Sequence, residues 1–320
     1  MFPRRPLLLA ALAAPALARA QAFPSRPIRL VVGFPPGGGS DLVARPIAEK
    51  MSATLGQPVL VENRGGANGA LGLAEVARAA PDGHVFGHVN NATIAINPLL
   101  VRNLPFNAER DFATVAAATV GGLFFTVPTS LGVSNVAEFL ALVRARPGQI
   151  YFGSAGPGSI THLAFELFKR ATRVEIEPVH YRGSAPALQD MIGGRVHFML
   201  DGINLSMGQI QAGRVRAIGF LGAERHRLFP EIPTIREQGF PDVVVPGWQG
   251  FVAPAGTPAP VLERLQDAIR DALQDAAIAE LFRNQGIITG YRPRAELAAM
   301  IEEDRARWRP IITALNISLD

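Results

Sequence analysis

Ile28-Arg29-Leu30-Val31-Val32-Gly33-Phe34-Pro35-Pro36-Gly37-Gly38-Gly39-Ser40-Asp41 sets the fold class of this chain. Its first five residues form an apolar run, the pattern of a buried strand. Four glycines follow, Gly33 and Gly37 to Gly39, and then Leu42, Ile47, Met51 and Leu55 repeat at helical spacing. A strand, a glycine-rich turn and a helix start in that order make an anion site. Glycine lets the backbone approach a bound group closely. The first helical N–H groups have no partner within the helix, and the helix dipole adds roughly half a positive charge there. Pro46 sits inside the helical stripe. Proline is tolerated in a first turn and damaging deeper in, so the regular helix is expected to start near Ala44 or to bend there.

The same design recurs. Residues 149–153 read as a short strand, Ser154-Ala155-Gly156-Pro157-Gly158-Ser159 is a second small-residue loop, and Thr161-His162-Leu163 opens a helical pattern. The intervals from Gly33 to Asp41 and from Gly153 to Thr161 are equal. Two such helix starts are expected to face each other across a cleft and to hold one anionic small molecule. Ordinary tight turns between strand and helix are the structural alternative for either loop taken alone.

Between and beyond these loops, strands alternate with helices, the signature of a parallel α/β sheet. Strands are expected at 59–63, 85–89, 123–127, 177–181, 196–200, 215–221 and 248–252. Helices are expected at 71–79, 136–144 and 185–192, from the Thr257-Pro258 cap to Gly286, and at 297–315 with a kink at Pro310. Loops at 64–69 and 90–93 follow strand ends, where ligands of such sheets bind. The run at 123–127 is read as crossing into a second domain and 215–221 as the return. Residues 228–247, rich in proline and glycine, are read as a long ordered loop with a short helix.

The composition narrows the function. The chain has 320 residues, 48% hydrophobic and 18% charged, enough for two domains with real cores. Arg4 and Arg5, the apolar residues 7–17 and Ala18-Arg19-Ala20 read as a secretory signal cleaved near Ala20. A membrane anchor is disfavoured because the run falls short of the ~20 residues needed to span a bilayer. Removing that segment takes away Arg4, Arg5 and Arg19 and no acid, so the net charge of +4 falls to near +1. This excludes the basic stripe of a nucleic-acid binder. There is no Cys, hence no disulfide and no thiolate chemistry.

No catalytic or metal pattern stands out. His84 and His88 are four apart but on a strand, without the H-E-x-x-H helix of a zinc site. Ser154 lacks the G-x-S-x-G elbow of a hydrolase, because Gly153-Ser154-Ala155-Gly156 is one residue short. Gly156-Pro157-Gly158 opens like a dinucleotide fingerprint but lacks its third glycine. No cofactor and no metal are expected. The candidate ligand contacts are Phe34, Pro36, Gly37, Gly38, Gly39, Ser40 and Asp41 in the first loop, and Ser154, Ala155, Gly156, Ser159, Thr161 and His162 in the second. Asn91 and Thr93 follow the third strand, Tyr181 and Arg182 precede a helix, and Asp201 ends an otherwise buried strand. Asp201 is read either as meeting a ligand amino or hydroxyl group or as capping a helix near Ser206. Trp248, between Gly247 and Gly250, is read as core or hinge packing rather than ligand wall.

With these residues in hand, the chain resembles the tripartite tricarboxylate transporter substrate-binding proteins, the TctC or Bug family. The matching segments are Phe34-Pro-Pro-Gly-Gly-Gly-Ser-Asp41, Val61-Glu-Asn-Arg-Gly-Gly66, Phe152-Gly-Ser-Ala-Gly-Pro-Gly-Ser159 with His162-Leu163, Tyr181-Arg-Gly-Ser-Ala-Pro-Ala-Leu188, Ile232-Pro-Thr234 with Glu237 and Gly239, and Ala253-Pro-Ala-Gly-Thr-Pro258. The departures are His180, where the family usually has proline, and Pro46. The resemblance implies a bilobal type II periplasmic-binding-protein fold, two α/β domains joined by hinge strands with the ligand cleft between them. The division expected is 24–122 plus 222–320 for one domain and 123–221 for the other. It implies a monomeric, non-enzymatic periplasmic protein that captures a small carboxylate through the 33–41 and 154–161 loops and delivers it to a two-component membrane permease. The alternatives are a secreted hydrolase using Ser154 and His162, or a ligand-sensing module for a membrane receptor.

Overall fold

The computed structural model describes residues 23–319, so the signal-peptide reading of residues 1–20 lies outside the described residues. The first half runs β1 (Ile28–Val32), α1 (Gly39–Leu55), β2 (Val59–Asn63), α2 (Ala70–Ala77), β3 (Val85–Asn90), α3 (Asn97–Leu100), β4 (Phe112–Gly122) and β5 (Phe124–Pro128). It continues through α4 (Val136–Ala145), β6 (Tyr151–Ser154), α5 (Ile160–Thr172), β7 (Glu177–His180), α6 (Ser184–Ile192), β8 (Phe198–Asp201), α7 (Ile203–Gln211) and β9 (Val215–Phe220). The chain closes with β10 (Pro246–Pro254), α8 (Ala259–Gln274), α9 (Ala276–Asn284), β11 (Ile288–Pro293) and α10 (Arg294–Leu315).

Among the described residues these strands form two sheets, ordered β11-β4-β10-β3-β1-β2 and β7-β6-β8-β5-β9. The fold is therefore bilobal. In the first sheet β1 pairs in parallel with β2 and β3, while β10 and β4 run antiparallel to their neighbours. In the second, β6 pairs in parallel with β7 and β8. The chain passes from one sheet to the other at Leu123, a single residue between β4 and β5. It returns between β9 and β10, where Leu221 N–H donates to the Leu123 carbonyl at 2.8 Å and Val245 N–H to the Leu221 carbonyl at 2.7 Å. At this waist Gly121 and Gly122 pair with Gly247 and Pro246.

Burial follows the helical stripes. On α1, Val43, Ala44, Ile47, Ala48 and Met51 are buried, in one cluster with Ile28 and Leu30 of β1 and with Leu262, Leu265 and Ile269 of α8. The second sheet packs Phe125, Phe139, Phe152, Phe165, Phe168 and Phe198 into an aromatic core, with Phe152 stacked on Phe165 at 4.4 Å between ring centroids. Helix α10 packs against both lobes. Leu297 and Ile301 pack with the first sheet, whereas Trp308 and Ile312 join the aromatic core.

Several expectations fail for local reasons. Helix α1 starts at Gly39 and continues through Pro46. Burial of the stripe on either side of the proline outweighs the ~3 kcal/mol that an interior proline costs. The 90–93 segment is helical from Asn91 onward, leading into a π-helical turn at Ala92–Ile96. No helix forms in 228–247, whose chain makes turns and one parallel bridge from Thr234 to Phe220. Thr257 is not the cap of α8; its hydroxyl donates to the Pro254 carbonyl at 2.7 Å and Pro258 takes the cap position. The single helix expected up to Gly286 is split at Asp275, whose Oδ1 accepts from Ala277 N and Ile278 N and starts α9. Strands β4 and β11 were not visible in the pattern. β4 is rich in alanine, which has little β propensity.

Candidate functional site

A cavity of about 160 Å³ lies between the lobes, walled by both sheets' helix starts and by the waist. A space of this size suits a small metabolite. Four helix N-termini reach its wall: α1 through Gly38, Gly39 and Ser40, α5 through Ser159, Ile160 and Thr161, α6 through Gly183 to Pro186, and α7 through Gly202 to Asn204. Three of them have glycine at the cap, Gly38, Gly183 and Gly202, and carry no side-chain cap. Their first N–H groups have no acceptor within the helix. In α5 the backbone N–H that the Ser159 hydroxyl caps is that of His162, which leaves the Ile160 and Thr161 N–H groups on the wall. No lysine or arginine is among the lining residues; Asp201 is the one carboxylate.

The glycine loops are shaped by the side chains that were expected to touch a ligand. Asp41 is buried and off the wall. Its carboxylate accepts from Gly37 N at 3.0 Å, Asn63 Nδ2 at 3.0 Å and Arg45 Nη2 at 2.6 Å. Burial works against its ionisation, but the Arg45, Gly37 and Asn63 donors outweigh that and hold its pKa below the ordinary value. In the second loop the Ser154 and Ser159 hydroxyls donate to the Gly156 carbonyl, at 3.2 and 2.7 Å, and Thr161 Oγ1 accepts from Ala155 N at 3.0 Å. His162 Nδ1 accepts from Gly158 N at 3.1 Å. Ser154 and His162 are thus each engaged with loop backbone, and neither is on the cavity wall.

Of the residues expected at the ligand, the cavity brings together Phe34, Gly38, Gly39, Ser40, Asn91, Ala155, Ser159, Thr161 and Asp201. Pro36 and Gly37 are exposed on the outside of the first loop, and Gly156 is buried behind the second. Thr93 is buried, bonded through its hydroxyl to the Asn90 backbone. The Tyr181 hydroxyl donates to Asp190 at 2.7 Å, and Arg182 is exposed and off the wall.

The rest of the wall carries no motif. Asn68, Thr119, the glycines of the waist, Asn204, His226, Trp248 and Gln249 come together only through the crossing strands and the loops beside them. Trp248 is both wall and core, with its indole N–H donating to buried Asp304 at 2.6 Å. Gln249 accepts at Oε1 from His88 Nε2 at 2.8 Å. Burial holds His88 down to about 4, so it is neutral and carries its proton on Nε2, which leaves the Gln249 amide hydrogens for other acceptors. His226 is also held down to about 4, by burial and by Arg227, and its Nδ1 accepts from Leu228 N. The signal that could have found Asn204 was position: it stands at a helix start after a strand.

Two α/β lobes enclosing a small cavity walled by helix starts define a solute-binding protein of the bilobal periplasmic type. Residues 43–317 match the Tripartite tricarboxylate transporter family receptor, and the chain belongs to that family. It is 33% identical to the protein BugT of Bordetella pertussis, over 92% of this chain and 90% of that one. Among solved structures it resembles an R. palustris protein with adipate (TM-score 0.88, 32% identity, covering 92% of this chain and 99% of that one). It also resembles MatC from Rhodopseudomonas palustris with bound malate (TM-score 0.84, 33% identity, 91% and 100% covered). Proteins of this family are periplasmic solute-binding proteins. No helix among the described residues is long and apolar enough to cross a membrane.

Proposed function

We propose that this chain is an exported, monomeric solute-binding protein that closes its lobes on a small carboxylate and hands it to a two-component tripartite tricarboxylate-type permease, without catalysis. The observation that carries this reading is the convergence of four helix N-termini on a cavity whose wall holds no lysine or arginine. At about half a positive charge per helix end, the four supply roughly two charges, more than the one negative charge of Asp201. The cavity is therefore selective for anions through backbone dipoles. The relatives solved with adipate and with malate support a carboxylate. We further propose the domain division 24–122 plus 222–320 and 123–221. It is supported by the change of sheet at Leu123 and by the return after β9.

Thermal unfolding of the mature protein with a panel of mono-, di- and tricarboxylates tests the reading. A solute at a hundredfold excess over its dissociation constant stabilises by ~2.7 kcal/mol, a rise in Tm of a few degrees for a domain of this size. Absence of a shift with every carboxylate would overturn it. Turnover of an ester panel that vanishes in Ser154→Ala would instead establish the hydrolase.

A further inference from the structure

We propose that Asp201 selects the ligand: the bound carboxylate also carries a hydrogen-bond donor, an ammonium or hydroxyl group, that binds Asp201 Oδ2. This rests on the carboxylate reading above and adds the second half of the ligand to it. Asp201 is the last residue of β8, on the cavity wall and immediately before the uncapped start of α7. Its Oδ1 accepts from Gly202 N at 2.7 Å. Its Oδ2 is buried and has no hydrogen-bond partner. The Ser184 hydroxyl lies near enough to favour the ionised form, yet no bond to Oδ2 is made. Buried polar atoms are almost always paired, and an ionised carboxylate can only accept. What completes Oδ2 must be a donor.

The protein supplies no cation for it. The lining residues include no lysine or arginine, and the other titratable side chain on the wall, His226, is neutral at ordinary pH. Three residues on, Asn204 Nδ2 is a buried donor that also lacks a partner, and it too is on the wall. Its amide is wedged between Gly202, the cap of α7, and Gly39, the first residue of α1. A Cβ on Gly202 would lie 2.6 Å from Asn204 Oδ1, and one on Gly39 would lie 3.7 Å from Nδ2. An unfilled donor beside the α1 start and an unfilled acceptor at the β8 end together suit a molecule with an anionic end and a donating group. A ligand bearing only carboxylates would leave Oδ2 opposite a second anion. Burial pushes Asp201 up to about 6, so it is mainly ionised at neutral pH and attracts a cation or hydroxyl rather than an anion.

Titration calorimetry with matched sets tests this. Propionate, lactate and alanine differ only in the group at one carbon, as do succinate, malate and aspartate, and glutarate, 2-hydroxyglutarate and glutamate. The wild type should bind a donor-bearing member about ten- to a hundredfold more tightly than its unsubstituted partner, the worth of a hydrogen bond to a charged group. Asp201→Asn, which keeps an acceptor for Gly202 N, should lose most of that preference while still binding the unsubstituted acid. A readout that needs no variant is proton linkage in wild-type protein near pH 6, measured in two buffers of different ionisation heat. An ammonium ligand favours ionised Asp201 and so should release protons. Equal or tighter binding of the unsubstituted acid, or net proton uptake with the ammonium ligand, would overturn the inference and leave the carboxylate reading standing. If no acid in any set binds, both fall.

Discussion

Asn68 Nδ2 lies 3.0 Å from the Gly158 carbonyl oxygen, a hydrogen bond that joins the loop after β2 to the loop before α5 across the mouth of the cleft. Asn68 sits in the left-handed region at φ 49°, which asparagine tolerates better than most residues. Its amide also donates to Asn97 Oδ1 at 2.8 Å, and Asn97 Nδ2 returns a bond to the Asn68 carbonyl at 3.1 Å. The contact is thus held rigidly on the first lobe and meets only backbone on the second. Asn68→Asp removes both donors while keeping the backbone preference. The closed form should lose about 0.5–1.5 kcal/mol, a two- to tenfold loss in affinity. Small-angle scattering should show a larger radius of gyration for the ligand-free variant. Unchanged affinity and unchanged scattering would show that the bond contributes nothing to closure.

Gly39→Pro isolates the contribution of backbone to anion binding. Gly39 is the first residue of α1, where proline is preorganised and the lost N–H has no helical acceptor. Gly38 before it is extended, as a residue preceding proline should be. The variant should fold with near-normal stability and bind any carboxylate roughly tenfold more weakly. Gly158→Pro is unsuited to the same purpose, because Gly158 has φ +69°, which proline cannot adopt. Full affinity in a folded Gly39→Pro protein, measured by calorimetry, would remove this N–H from the site.

Asp41→Asn should be costly, although Asn caps helices well. The carboxylate serves Gly37, Asn63 and Arg45 at once. An amide offers fewer lone pairs and sets its own N–H groups against one of these donors. The loss expected is about 1–3 kcal/mol, visible in urea unfolding as a lower midpoint at unchanged slope. A variant within about 0.5 kcal/mol of wild type, the range of neutral surface changes, would show that the glycine loop holds its shape without the carboxylate.

Acid should destabilise the fold from about pH 6.5 downward. Burial holds His88, His162 and His226 each down to about 4, helped at His162 by His180 and Lys169. Between their unfolded value of about 6.5 and 4 the unfolded chain binds more protons at these sites, so stability rises with pH across that window. Asp201 opposes this, since burial raises it to about 6 and the folded state then holds its proton. His180 and His197 are lowered as well, and burial also raises Glu166 and Asp304. Five histidines against three carboxylates leave a net slope of up to about two protons, roughly 2.7 kcal/mol per pH unit at its steepest. Urea midpoints measured across this range should fall on acidification, and His88→Gln should flatten the curve. A flat profile in the wild type would contradict the burial of these rings.

Much of the first lobe was legible because its elements are local. Residues 28–32 and 59–63 have the apolar run of buried strands, and both were strands. The Gly37–Gly39 turn announced a helix start, and α1 begins within it. By contrast, Ala-rich β4 has no strand signature of its own. It is a strand because β10 and β11 pair with its two sides, and those partners lie more than a hundred residues away in sequence.

What the sequence alone determined was the chemistry available: two glycine-rich helix starts able to hold an anion, no motif for covalent or metal chemistry, and Asp201 at a strand end. Those are properties of spacing and residue type within a dozen positions. Tertiary structure decided which atoms remain free. Asp41, Ser154 and Thr93 were expected at the ligand, yet their oxygens are engaged by nearby backbone and, at Asp41, also by the Arg45 and Asn63 side chains. Asn68, Asn204, His226 and Gln249 reach the wall from separate stretches of chain. A polar side chain presents its group to a ligand only if no nearer partner satisfies it, and that depends on how the two lobes pack at the waist.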